Sequence, residues 1–183
     1  MSSARSKASS KGRRIVINDA SCLIDLHKVS LVEVMLQLPY DFVVALPVAH
    51  NELLDFTKKD WRRLARAGLV QVDLDPGQVG RAIALRSQNT KLTAEDCFSV
   101  VLAEDIVDSI LLTGDAELRN VAVAKGCEVH GVLWVTDEIH EIQTGGLLTN
   151  RKLIDCLNAW LDDPLVRLPA GLLEVRLKAL AKK

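Results

Sequence analysis

The sequence predicts an α/β fold, a three-layer α/β/α sandwich around a mainly parallel central sheet. Two observations predict it. Short aliphatic runs alternate with helical stretches along the chain. Most of those runs are apolar at every position, as strands covered on both faces are. Right-handed crossovers then place helices on two sides of the sheet.

"RIVIND" reads as a short buried strand ending on Asp19. "SLVEVMLQL" (30–38) reads as a helix, with Leu31, Val34, Met35 and Leu38 at helical spacing. "DFVVAL" (41–46) is a second strand, and "PVAHNELLDF" a helix with Pro47 in its first turn. "DWRRLARAG" is helical up to Gly68, and "LVQVDL" (69–74) alternates as a half-exposed third strand. Helices open at Pro76 and at Thr93, the second in "LTAEDCFSVVLAED". "SILLTGD" (109–115) is a buried strand ending in a turn. "AELRNVAVAKG" is a helix closed by Gly126, and "CEVHG" a brief strand. A helix from about 132, a break at Gly145-Gly146 and helices near 149–161 and 170–182 complete the chain.

Composition narrows the function classes. The chain has 183 residues and a formal net charge of −1, with 49% hydrophobic but only 4% aromatic residues, so the core is expected to be aliphatic. The charge is uneven. Residues 1–14 carry Arg5, Lys7, Lys11, Arg13 and Arg14 and no acid, leaving 18 basic against 24 acidic residues, a net of −6, for the rest. Such a body is not a bulk nucleic-acid binder, so nucleic-acid contact must come from local patches or metal ions. The first 13 residues read as a disordered basic tail without the apolar middle of a signal peptide. No segment is long and apolar enough to span a membrane. Cys22, Cys97, Cys127 and Cys156 are far apart, which predicts free thiols in a reducing cytoplasm and no zinc site.

Four carboxylates share a common placement. Asp19 ends the first strand, and Glu52 lies one turn into the helix after the second, in "LPVAHNEL". Asp96 lies in the first turn of "TAEDCFSVVLA", and Asp115 follows a later strand in "LLTGDAEL". Parallel α/β sheets form their sites at the carboxyl ends of the strands, so all four can converge on one edge. Carboxylates gathered there repel and raise one another's pKa. A divalent cation resolves the conflict, and hard oxygen ligands select Mg²⁺ or Mn²⁺.

The motifs "IVINDASCLIDL", "LPVAHNELL", "LTAEDCFSVVLA" and "LLTGDAEL", in that order, resemble the PIN-domain ribonucleases, which include VapC-type toxins. The resemblance covers roughly residues 14–135. It implies a catalytic acidic quartet at Asp19, Glu52, Asp96 and Asp115, with metal held by Asp19, Asp96 and Asp115. Ser21 and Thr113 fit as supporting residues, and "GCEVHGVLWV" is similar to the close of a PIN subgroup. It implies a metal-dependent endoribonuclease, with RNA as substrate and a small antitoxin protein as partner. On this division residues 14–146 form the PIN-like domain and 147–183 a C-terminal helical extension, suited to dimerisation or to holding a partner segment. The tail and the extension exceed the minimal domain.

Plainer roles compete at each position. Asp19 and Asp115 suit helix caps, and "TAED" suits a capping box at Asp96. Glu95 is the neighbouring competitor of Asp96, although Asp96 shares the face of Val100. Glu52 could be an ordinary exposed helix residue, with Asp55 a weaker substitute. Glu117 could assist a second metal. Arg119 could reach a phosphate, and Lys58, Lys59 and Arg62 could contact RNA, beside the simpler reading of a solvated helix face. The histidines have no metal-ligand spacing. Two other classes are weighed: a catalytically idle PIN-like binding module, and a receiver-type signalling domain, for which "EVHGVLW" lacks the expected Lys.

Overall fold

The computed structural model describes residues 12–142 and 148–181. Most of the basic tail and the Gly145-Gly146 break lie outside the described residues. Five strands form one sheet: β1 (Ile15–Asn18), β2 (Asp41–Ala45), β3 (Val70–Val72), β4 (Ile110–Leu112) and β5 (Glu128–His130). Their order is β3-β2-β1-β4-β5, and every pairing is parallel. The receiver alternative requires the order 2-1-3-4-5, so the observed order removes it.

The helices are α1 (Ala20–Lys28), α2 (Val32–Met35), α3 (Leu46–Asn51), α4 (Lys58–Ala67), α5 (Pro76–Gln88), α6 (Ala94–Asp105), α7 (Ala116–Ala124), α8 (Val132–Glu141), α9 (Asn150–Asp162) and α10 (Ala170–Ala181). They form two groups. Helices α1, α2, α4 and α8 pack together, while α6 lies across β1, β2 and β4 with α3, α5 and α7 beside it. The strands between them are dry: Val16, Ile17, Val44, Leu111 and Leu112 have no exposed surface. This is the aliphatic, two-sided core that continuous apolar runs require.

Several helix ends sit where capping chemistry puts them. Thr57 with Asp60, Asp75 with Gln78 and Thr93 with Asp96 each form a reciprocal capping box. Gly68 and Gly126 take the left-handed conformation (φ 115° and 84°) that follows a helix end.

Two helices are shorter than their sequence suggests. The stretch 30–38 yields only the four residues of α2, because Ser30 is left-handed (φ 57°) and Pro39 lies just beyond. Helix α3 stops at Asn51. Val48, Leu53 and Phe56 are all buried, but a five-residue step from Val48 to Leu53 leaves the face of a helix, so the chain must turn to bury both. Glu52 is therefore not inside a helix. It is the residue that closes α3, its N–H bonded to the Val48 carbonyl.

Helices α9 and α10 fold back onto the body. Trp160 is buried, and its indole N–H donates to the Asp25 carbonyl on α1 at 2.9 Å. Lys28 pairs with Asp163 at 3.0 Å. Arg176 forks onto Asp137 of α8, with Nε to Oδ1 at 2.8 Å. Trp160→Ala is therefore expected to cost about 3–5 kcal/mol of stability. Urea unfolding and amide exchange check it; protection should fall first in α9 and α10.

Candidate functional site

The chain leaves β1 for β2 and β3 on one side, then returns to β4 on the other side of β1. A reversal of this kind opens a crevice at the carboxyl ends of the two adjacent strands. Asp19 follows β1 directly, and Thr113, Gly114 and Asp115 follow β4. Residues 94 or more positions apart are thereby placed side by side.

Hydrogen bonds lock the two loops together through Asp19. The Ser21 hydroxyl donates to Asp19 Oδ2 at 2.7 Å, and the Thr113 hydroxyl donates to the same oxygen at 2.9 Å. Each hydroxyl also accepts: Ser21 Oγ from the Gly114 N–H at 2.9 Å, and Thr113 Oγ1 from the Asp115 N–H at 3.0 Å. The backbone N–H of Asp19 donates to the Leu112 carbonyl at 3.0 Å. Asp19 is only 3% exposed. Burial raises its pKa above the ordinary carboxylate range, and the charge of Asp96 adds to the rise, while the Ser21 and Thr113 bonds oppose it.

Asp96 sits in the first turn of α6. Its Oδ2 accepts the Thr93 N–H at 2.7 Å, and its own N–H donates to Thr93 Oγ1 at 3.0 Å. Glu52, half-buried, is pushed up to about 7 by burial and then by the charges of Asp19, Asp96 and Glu95. Asn51 donates to Glu95 Oε1 at 2.7 Å, which ties the end of α3 to the start of α6. Asp19, Glu52 and Asp96 thus share one electrostatic environment. Glu95 belongs to it as well, a role that the helix-face argument passed over in favour of Asp96.

Asp115 is exposed and caps α7, with Oδ1 accepting the Leu118 N–H at 2.7 Å. It joins the others through the Thr113 hydroxyl. Glu117 turns outward to pair with Lys91 at 2.9 Å. Arg119 spends donors on the carbonyls of Thr113 (3.0 Å) and Val129 (3.2 Å), bracing the ends of β4 and β5. Lys58, Lys59 and Arg62 are exposed on α4, which packs against α2.

Among the described residues no three Asp, Glu, His or Cys side chains stand as a ready-made metal cage. The chemistry of the donors nevertheless fits a hard divalent cation. The charges acting most on Glu52 are three carboxylates, and Asp19 and Asp96 repel one another. Each cap also uses a single oxygen of its carboxylate.

A five-stranded parallel sheet with acids gathered at its switch point has the architecture of a PIN domain. The family model of DUF3368, a PIN domain, matches residues 15–181, so the match takes in α9 and α10 as well as the sheet. The chain belongs to the PIN-domain family. PIN domains are generally metal-dependent nucleases. No curated protein matches the chain.

The raised acids set a pH dependence. An acid whose folded pKa is raised favours the fold in its protonated form. Its contribution is present below its unfolded value and lost as pH rises, for Glu52 between the ordinary 4.5 and about 7. In EDTA, Glu52→Gln should therefore stabilise the protein more at about pH 7.5 than at about pH 5. Thermal melts at both values check this. Mg²⁺ or Mn²⁺ should raise the Tm of the wild-type protein at the higher pH.

Proposed function

We propose that this chain is a metal-dependent endoribonuclease that hydrolyses RNA phosphodiester bonds, and that it is the toxin of a toxin–antitoxin pair. The observation that carries the nuclease reading is the cluster of Asp19, Asp96 and Glu52 at the switch point, where burial, and then the charges of its neighbours, push the pKa of Glu52 up to about 7. The toxin reading rests on the likeness of the four acidic motifs to VapC-type proteins, and a small antitoxin protein is its expected partner.

Asp19, Asp96 and Asp115 would hold Mg²⁺ or Mn²⁺, with Glu52 assisting. Such an ion polarises a phosphate and lowers the pKa of a bound water. The protein's part is orientation and proton transfer. Ser21 and Thr113 fix the Asp19 carboxylate, so one of its oxygens is committed to the scaffold. Glu52, with its pKa near 7, is suited to take the proton of the attacking water at its carboxylate. The burial of Asp19 also limits the bulk water that competes for the site.

A labelled, structured RNA pool incubated with Mn²⁺ or Mg²⁺ tests the reading. Cleavage is expected, abolished by EDTA and reduced at least about 100-fold by Asp96→Asn, since even outer-shell changes at metal sites cost about 10–100-fold. Thr113→Val, which removes one bond to Asp19, should cost about 10–100-fold. RNA left intact, together with no Mn²⁺ uptake by calorimetry, would sink the nuclease and leave an idle binding module.

A further inference from the structure

Next to the acid cluster, the carboxyl edge of the sheet opens into a cavity of about 520 Å³. It begins at Thr113 and Gly114, the residues that hold Asp19 and its loop, and extends past β5 and the start of α8 to residues 167–172. Three guanidinium groups line it, and they differ in what they have left to offer. Arg176 is neutralised by its fork onto Asp137. Arg119 lies along one wall with donors on two carbonyls, and Gly131 leaves it room, since a Cβ there would stand 3.2 Å from its Nη2. Arg167 is exposed and has no hydrogen bond or ion pair among the described residues. Beside it, Leu172 keeps 49% of its surface exposed within the same wall.

A cavity of this size suits one small polar ligand with an apolar part. A guanidinium without a partner suits a phosphate, and exposed apolar wall suits the face of a base. An RNA chain lying across the acid cluster must continue past it in some direction. The basic residues of α4 line no part of this cavity.

Resting on the nuclease reading, we propose that the cavity is a subsite for one nucleotide flanking the scissile bond, with Arg167 on its phosphate and Leu172 against its base.

The test is the binding of a short fluorescein-labelled single-stranded RNA to the Asp96→Asn protein, by anisotropy across a series of salt concentrations with Mg²⁺ present. Arg167→Ala should flatten the slope of log affinity against log salt by about 0.7, the share of one phosphate contact, which is about four-fold in affinity near 0.15 M salt. Arg167→Lys should keep the slope. Arg151→Ala, which removes another exposed guanidinium that does not line this cavity, should leave both slope and affinity unchanged. If RNA binds and Arg167→Ala changes neither quantity, the subsite is wrong and the cavity is left to a protein segment, while cleavage by the wild-type protein keeps the nuclease reading intact. If the wild-type protein neither binds nor cleaves RNA, both proposals fall.

Discussion

A carboxylate that is 3% exposed, with no ion pair among the described residues, must be held by hydrogen bonds or by a cation. At Asp19 the bonds arrive from both sides of the crevice. Ser21 lies on the same turn, and Thr113 comes from the end of β4. Those two hydroxyls also accept the N–H groups of Gly114 and Asp115, so the turn after β4 is built around the side chain that ends β1. The path of the chain at the switch point and the orientation of the acid are therefore one structural fact. Removing either hydroxyl would loosen both.

Burying Asp19 has an electrostatic consequence for its neighbours. Glu52 and Asp96 are only half-buried, yet each adds negative charge to a region that already excludes water. Glu95, anchored by Asn51, adds more. Two of the acids also cap helices: Asp96 closes the box that starts α6, and Asp115 caps α7. Capping favours ionised carboxylates at helix N-termini. The capping role is compatible with the proposed metal-binding role, since a cap oxygen and a ligand oxygen can belong to the same group.

The C-terminal helices contribute at a distance from the acids. Trp160 and the Lys28–Asp163 pair seat α9 against α1, and Arg176 seats α10 against α8. The segment between them, with Arg167 and Leu168, forms one side of the cavity beside the acid cluster. The shape of that cavity depends on the docking of α9 and α10, and any RNA path along it would depend on the same contacts.

The local elements and the junctions that carry most of the acids follow from short-range pattern in the sequence. Continuous aliphatic runs mark β1, β2 and β4, and Thr93, Pro76 and Gly126 mark helix ends, because backbone capping and strand burial depend on residues a few positions apart. Asp19, Asp96 and Asp115 were legible for the same reason, each standing at a junction that local pattern defines. Other features needed the tertiary structure. The strand order that separates this fold from a receiver, and the stop of α3 at Asn51, follow from which apolar side chains share one core. The pairing of Glu117 with Lys91 and the part played by Glu95 rest on contacts 26 and 44 residues apart, and the bracing role of Arg119 rests on the side-by-side pairing of β4 and β5. The cavity draws its walls from residues 113 to 176. Periodicity carries no information about such distances, so only the packed chain could decide them.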